Sequence, residues 1–201
     1  CAVGKWLPVL SPVFKKVIAL DISINNLKIA QRLHPTLENV DYKRADMSNP
    51  ALRVPKVEFG ICINAILTPH AKDRLIFFNN LKKCIKPNGF LVLTIPSLES
   101  YLLTRIVQQQ FNIDKKEFSE SITGKKALIK WKNLIQGVGE IDQVPHKHFL
   151  KEELILMLKK SGFDVLEIKK IEYPWTTEFN RPPRWLHSPK PWDWMVVAKK
   201  D

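Results

Sequence analysis

The amino-acid sequence predicts an α/β protein with a doubly wound, mostly parallel sheet that has helices on both faces. Short apolar runs bounded by polar residues, at positions 17–20 and 90–95, are typical of strands that are buried on both faces. Segments with apolar residues at helical spacing lie between such runs, and short turns join them. Strands that alternate with helices in this way form parallel sheets, because each helix carries the chain back across the sheet.

The predicted elements follow in a regular order as far as Ser97. Leu27, Ala30 and Leu33 share one face of a helix, and the segment Lys86–Gly89 is a strong helix stop. In chain order the sequence first predicts a strand ending at Asp21, a helix ended by Pro35 and a strand ending near Asp46. A strand ending near Asn64, a helix ended by Lys86–Gly89 and a strand ended by Pro96 follow.

The alternation stops after Ser97. Residues 98–145 are predicted to be a mostly helical insertion with no further buried strand, serving either as a lid that shapes a substrate site or as cover for apolar surface. Its glycines are possible hinges, so residues 112–126 are expected to be mobile without ligand. A helix at 149–162 and strands at 164–173 and 191–200 complete one domain, residues 1–201.

Composition narrows the class of protein. Three cysteines without a CxxC pair favour a reducing, cytoplasmic setting and argue against a disulfide framework or a structural zinc site. No run approaches the roughly 18 apolar residues that span a bilayer. The sequence opens at Cys1 within a motif, so further residues are expected upstream in the native protein.

The net charge of +12 invites a nucleic-acid partner, but its distribution favours a solvated basic surface. Residues 1–100 contain 14 Lys and Arg against 7 Asp and Glu, and residues 101–201 contain 18 against 13. The excess is therefore spread along the chain rather than gathered in one stripe.

Asp21 follows a buried strand directly, at the sheet edge where open α/β proteins bind ligands. An ionised carboxylate there can accept two hydrogen bonds from a diol. The alternative is that Asp21 only caps the following helix, a role that Ser23 could share.

The motif "CAVGKW" and the residues after it resemble the class I, Rossmann-like S-adenosylmethionine-dependent methyltransferases over nearly the whole chain. The motif is similar to the end of that family's glycine loop, with the family's first strand absent from this sequence. The resemblance implies a seven-stranded sheet with an antiparallel last strand, and S-adenosyl-L-methionine as cofactor, with S-adenosyl-L-homocysteine as product. The terminal segments "SGFDVLEIKKIEYPW" and "WDWMVVAKK" correspond to the family's last two strands.

The resemblance also implies roles for individual residues. Asp21 would accept hydrogen bonds from both ribose hydroxyls, Asp46 would meet the adenine amine, and Asn64 would lie where cofactor meets acceptor. The implied cofactor-binding residues are Cys1, Ala2, Gly4, Asp21, Ile22, Asp46, Met47, Asn64 and Ala65. A nicotinamide dehydrogenase also places an acid after its second strand, but "CAVGKW" lacks the last glycine that such an enzyme needs.

The acceptor is less constrained than the cofactor. The sequence lacks the Asn-Pro-Pro-Tyr type of motif, a nucleophilic cysteine pair and a clear metal-ligand cluster, which leaves a small or medium-sized organic acceptor or an RNA. A non-catalytic binding protein remains the third alternative, and the oligomeric state is left open. The candidate general bases are His146, His148 and Tyr101, although each histidine could equally cap or pack against the helix that follows.

Overall fold

The computed structural model describes residues 1–114, 124–141 and 143–201, which divide into two compact units, Cys1–Val54 and Pro55–Asp201. No helix among these residues is long and apolar enough to cross a membrane.

The first unit is built on a two-stranded parallel sheet. Strand β1 (Val17–Asp21) pairs in register with strand β2 (Val40–Arg44). Two helices accompany the sheet: α1 (Leu7–Leu10) and α2 (Ile24–Leu33). Leu7, Ala19 and Ala30 form the buried core between them, so one side chain from each of α1, β1 and α2 meets at the centre.

Strand β1 is less buried than its apolar run predicts. Only Ala19 is fully buried, and the other four residues of the strand are half-buried. Within the described residues β1 has β2 as its single sheet partner, which leaves part of its surface exposed.

The second unit contains a four-stranded mixed sheet. In chain order its elements begin with strand β3 (Val57–Ile63), helix α3 (Ala71–Cys84) and strand β4 (Ile85–Pro96), and β3 and β4 are parallel. The unit ends with helix α6 (Lys151–Lys160), strand β7 (Phe163–Glu172), a short 3₁₀ helix at Trp175–Thr177 and strand β8 (Trp192–Lys200). The strand order is β3-β4-β8-β7.

Strand β8 lies between β4 and β7 and is antiparallel to both, so the predicted antiparallel last strand is confirmed. The α/β class is confirmed as well. A single seven-stranded sheet stays a prediction, because the described strands form separate sheets of two, four and two strands.

The insertion after β4 is partly helical, as predicted. It contains helix α4 (Leu98–Gln110), which Ser97 caps by accepting a hydrogen bond from the Ser100 amide, and helix α5 (Gly124–Ile135). Residues 115–123, which make up most of the segment predicted to be mobile, lie outside the described residues.

The prediction that the insertion holds no further buried strand missed two short strands that are partly buried. An antiparallel hairpin of strands β5 (Val138–Ile141) and β6 (Val144–Lys147) closes it, and Val138 and Lys147 are buried. The hairpin escaped the sequence because its strands are only four residues long and mix glycine, proline and charge.

Candidate functional site

The chain start forms a tight turn next to β1. The Gly4 amide donates to the Cys1 carbonyl at 3.0 Å, and Ala2 and Gly4 both have positive φ, 46° and 79°. A Cβ on Gly4 would lie 2.9 Å from Leu7 Cδ1 and 3.0 Å from the Ala30 Cβ. Glycine is therefore required here both by the backbone conformation and by the close approach of the turn to α2.

The Asp21 carboxylate holds this turn in place. Its Oδ2 accepts from the Ala2 amide at 2.7 Å and lies 3.0 Å from the Cys1 amino nitrogen, while its Oδ1 accepts from the Ser23 amide at 2.9 Å. A longer bond of 3.4 Å comes from Asn26 Nδ2. Burial opposes ionisation, but the pKa of Asp21 is lowered, with the hydrogen bonds from the backbone amides of Ser23 and Ala2 acting against burial.

The cap role considered from the sequence is divided between two residues. Ser23 Oγ accepts from the Asn26 amide and caps α2 directly, whereas Asp21 fixes the turn that precedes this cap. Asp21 is thus an ionised acceptor, largely shielded from solvent with 13% of its side chain exposed.

Asp46 lies at the same edge of the two-stranded sheet as Asp21. The Ala45 amide donates to the Asp21 carbonyl at 2.9 Å, which extends the β1–β2 pairing and brings the two strand ends together. The Asp46 side chain is exposed and accepts from the Ser48 amide at 2.8 Å, while Met47 is half-buried. Ile22, the residue directly after Asp21, exposes 59% of its surface.

The side chains at this edge of the sheet are chemically suited to an adenosyl group. An ionised carboxylate suits a ribose diol, since the long Asn26 bond can give way to a hydroxyl donor. The exposed Ile22 offers apolar surface to a purine ring.

In the second unit, Asn64 and Ala65 follow β3 and are exposed. Asn64 has a positive φ of 44°, and its Nδ2 donates to Asp193 Oδ2 at 2.9 Å. The side chain of Asn64 is therefore used to bind the first residues of β8.

Asp193 belongs to a polar cluster that the sequence did not predict. Tyr173 hydrogen-bonds to Glu178 and to Ser100, and the charges of Glu178 and Asp193 act on it. Burial raises the pKa of all three ionisable groups, Tyr173, Glu178 and Asp193. Asn64 opposes the effect at Asp193, and the positive charge of Arg105 opposes it at Glu178.

This cluster lies where β4 ends and β8 begins, since Pro96 pairs with Asp193. Its members come from α4, the loop after β7 and β8, so no local motif unites them. The one sequence signal was a carboxylate inside the otherwise aromatic and apolar run "WDWMVV".

The three predicted base candidates lie together at the hairpin. The His148 ring packs against the Tyr101 ring at a centroid distance of 4.5 Å, with the two planes tilted by 36°, and Tyr101 Oη accepts from the Glu140 amide at 3.4 Å. His148 is 4% exposed, and burial lowers its pKa to about 4. His146 is half-buried, with Nδ1 2.9 Å from the Val144 carbonyl.

These contacts separate the three candidates chemically. His148 is neutral at pH 7 but is a weak base with little solvent access, so a packing role accounts for its surroundings. His146 and Tyr101 keep more exposed surface. Their catalytic role stays a prediction.

Lys147, between the two histidines, carries a buried charge. Its Nζ lies 2.6 and 2.8 Å from the two carboxylate oxygens of Glu153 and donates to the Gln136 carbonyl at 2.9 Å. It thereby joins the end of α5, strand β6 and the start of α6. Among the described residues, no group of three or more His, Cys, Asp or Glu side chains could hold a metal ion.

Comparison with known proteins finds a family model that matches the first part of the chain. Residues 1–93, which include the turn at Cys1–Gly4 and the two carboxylates Asp21 and Asp46, match the family described as a methyltransferase domain. A search of curated proteins found no match.

Solved structures share the fold over the full chain. A SAM-dependent methyltransferase from Methanosarcina mazei is 18% identical with a TM-score of 0.65, and the alignment covers 100% of this chain and 89% of that one. The N-methyltransferase NodS from Bradyrhizobium japonicum, solved with S-adenosyl-L-homocysteine, is 11% identical with a TM-score of 0.63, covering 100% and 74%. Magnesium protoporphyrin IX methyltransferase from Synechocystis, also with bound S-adenosyl-L-homocysteine, is 13% identical with a TM-score of 0.59, covering 100% and 71%.

Proposed function

We propose that this chain is a class I S-adenosylmethionine-dependent methyltransferase that methylates a small or medium-sized organic acceptor, and the family match over residues 1–93 and the shared fold support this proposal. The structural neighbours are consistent with this acceptor class, since NodS is named as an N-methyltransferase and the Synechocystis enzyme acts on magnesium protoporphyrin IX.

The observation that carries the proposal is the Asp21 carboxylate. It is ionised, shielded and placed beside the turn at Cys1–Gly4, at the carboxyl end of a parallel strand. In this assignment Asp21 holds the ribose, Ile22, Asp46 and Met47 contact the adenine, and the backbone of Cys1, Ala2 and Gly4 approaches the methionine part. Asn64 and Ala65 complete the set of residues proposed to hold the cofactor.

The bound cofactor supplies an electrophilic methyl group on a sulfonium, and the protein's contribution is to position the acceptor and exclude water. An acceptor held in line and close to the methyl needs little covalent help. A residue must move a proton only if the acceptor atom carries one.

Two groups of residues are candidates for that proton transfer. The first group holds the candidates from sequence, His146, Tyr101 and the more deeply buried His148, and the second is the cluster found in the structure, Asp193, Glu178 and Tyr173. Carboxyl groups whose pKa is raised by burial are suited to accept a proton near neutral pH, which favours Asp193 and Glu178.

An RNA acceptor is the second proposal, supported by the net charge of +12 and by the lysines of α5. A non-catalytic binding protein is the third. A cytoplasmic location also remains a proposal.

Calorimetric titration with S-adenosyl-L-methionine, followed by a turnover assay on a metabolite extract, tests the proposal. We expect binding and the appearance of a methylated small molecule with S-adenosyl-L-homocysteine. Binding without turnover on either the extract or bulk tRNA would support the non-catalytic alternative. Turnover on tRNA with a steep decrease of binding at higher salt would support the RNA alternative, because phosphate contacts release counterions.

A further inference from the structure

Helix α5 presents an apolar face that is largely exposed, with only Leu134 among its members half-buried. Its sequence GKKALIKWKNLI places five apolar side chains within about 120° of the helix circumference. Every residue of the helix is exposed or half-buried, and none is buried. Three of the large side chains on this face are far from buried: Leu128 is 53% exposed, Trp131 59% and Ile135 67%. The face consists of Ala127, Leu128, Trp131, Leu134 and Ile135.

The rest of the helix surface is cationic. Lys125 and Lys132 flank the apolar face on one side and Lys130 on the other, with Lys126 behind it. The helix contains no acidic residue. Lysine stems can lie along an apolar surface while their ammonium groups reach outward, so the flanking lysines widen the apolar stripe.

We propose that α5 binds the surface of a lipid bilayer containing anionic headgroups, with the helix axis in the plane of the interface. An amphipathic helix with Lys on its polar flanks and Trp and Leu on its apolar face binds there through apolar burial and charge attraction together. Trp131 lies near the centre of the face, where an indole ring can lie at the headgroup level.

The chemistry of the face favours a bilayer over the other polyanion, RNA. RNA would engage the lysines and could stack on Trp131, but it offers no apolar environment to Leu128, Leu134 and Ile135. A binding partner with an anionic surface above an apolar interior can contact both the lysines and the apolar face of the helix.

The test uses sedimentation of the full chain with vesicles of phosphatidylcholine alone and of equal parts phosphatidylcholine and phosphatidylglycerol. We expect binding to the anionic vesicles. The triple variant Leu128→Gln/Trp131→Gln/Ile135→Gln should weaken that binding by at least roughly tenfold, since it removes the apolar contribution. The variant Lys126→Gln/Lys130→Gln should weaken binding to anionic vesicles and leave the weak binding to neutral vesicles unchanged.

Ile129 provides a matched control. It is 52% exposed on the same helix but lies on the lysine side, so Ile129→Gln should retain binding within about twofold. All the substituted side chains are exposed, and circular dichroism checks that each variant keeps the native fold. The proposal is overturned if the chain does not sediment with anionic vesicles, or if Ile129→Gln loses as much binding as the triple variant. Retention of tRNA rather than vesicles by this face in a gel-shift assay would overturn it in favour of RNA.

Discussion

Asp21 performs two tasks with one carboxylate: it holds the turn at Cys1–Gly4 and, in the proposed function, it accepts the ribose hydroxyls. We predict that Asp21→Ala weakens S-adenosyl-L-methionine binding by roughly 1.5–3 kcal/mol, because buried hydroxyls lose charge-assisted partners. Asp21→Asn should have a smaller effect, since the amide oxygen can still accept from Ala2. Isothermal titration measures both.

Asp41 is a suitable control for that measurement. It lies on β2 and pairs with Lys43 at 3.1 Å on a partly exposed surface, away from the turn. Asp41→Ala should leave the dissociation constant unchanged. If Asp21→Ala also leaves it unchanged, the ribose assignment is wrong.

The role of Asp46 can be separated from its local hydrogen bond to Ser48. If Asp46 meets the adenine amine, Asp46→Ala should weaken adenosyl binding by about 1 kcal/mol more than binding of an inosyl analogue, which lacks that amine. Titration of both ligands into both proteins gives the comparison. Equal losses for the two ligands would leave Asp46 with only its turn-forming role.

His148 should make stability depend on pH. Its folded pKa of about 4 lies below the ordinary value of 6.5, so the neutral ring contributes stability that is present above pH 6.5 and lost as the pH falls towards 4. The loss should reach about 3 kcal/mol. The variant His148→Phe lacks this titrating ring, so its free energy of unfolding should fall less than that of the wild type between pH 6.5 and pH 4. The difference between the two losses should be about 3 kcal/mol.

Denaturant unfolding at several pH values measures this difference. The control is His70→Gln at an exposed position, which should follow the wild-type profile. Parallel profiles for wild type and His148→Phe would contradict the effect of burial on this ring.

Lys147 connects three elements, α5, β6 and α6, through one buried ammonium group. Glu153→Gln should lower the free energy of unfolding by about 3 kcal/mol, because it leaves a buried charge without its partner. The double variant Lys147→Met/Glu153→Gln should recover much of that loss. Chemical denaturation of the three proteins gives the values.

Glu152→Gln is the matched control, since Glu152 is exposed in the same first turn of α6. Its effect should stay within about 0.5 kcal/mol. If Glu152→Gln and Glu153→Gln lower the free energy of unfolding equally, the ammonium group of Lys147 does not depend on Glu153 for its stabilisation.

Long elements were predicted from the sequence more accurately than short ones. Helices α2 and α3 carry strong periodicity and clear stop signals, so they were predicted within a few residues, whereas β4 begins at Ile85 and includes the segment 86–89 that was predicted as a turn. The hairpin β5–β6 was missed because its stability comes from tertiary contacts: a Cβ on Gly139 would lie 2.5 Å from the Tyr101 ring. A contact between residues so far apart leaves no local pattern.

Some residues of the candidate site could be predicted from the sequence, and others could not. Asp21 and Asp46 follow strands directly, so position along the chain was enough to find them. Tyr173, Glu178 and Asp193 come together only through a loop and the pairing of β8 with β4, and periodicity cannot report such a contact.

At the scale of the whole molecule, a ligand that binds only the native state should stabilise it. At a free S-adenosyl-L-homocysteine concentration of about 100 times the dissociation constant, the gain is about 2.7 kcal/mol. For a chain of this size, that corresponds to a rise in the melting temperature of roughly 5–10 °C. Thermal scans with Asp21→Ala at the same ligand concentration should show a smaller rise, and an identical rise would contradict the proposed site.

The three cysteines differ sharply in their surroundings, and this gives the protein a natural reporter position. Cys62 and Cys84 are buried, and burial raises the pKa of each thiol, to about 12 for Cys62. Cys1 is exposed as a residue, with 12% of its side chain accessible, and lies in the turn that Asp21 holds. Because the thiolate is the reactive form and the other two thiols are buried with raised pKa, a maleimide dye should label Cys1 before Cys62 or Cys84, without any engineered substitution. Its emission would then follow occupancy of the neighbouring site in real time.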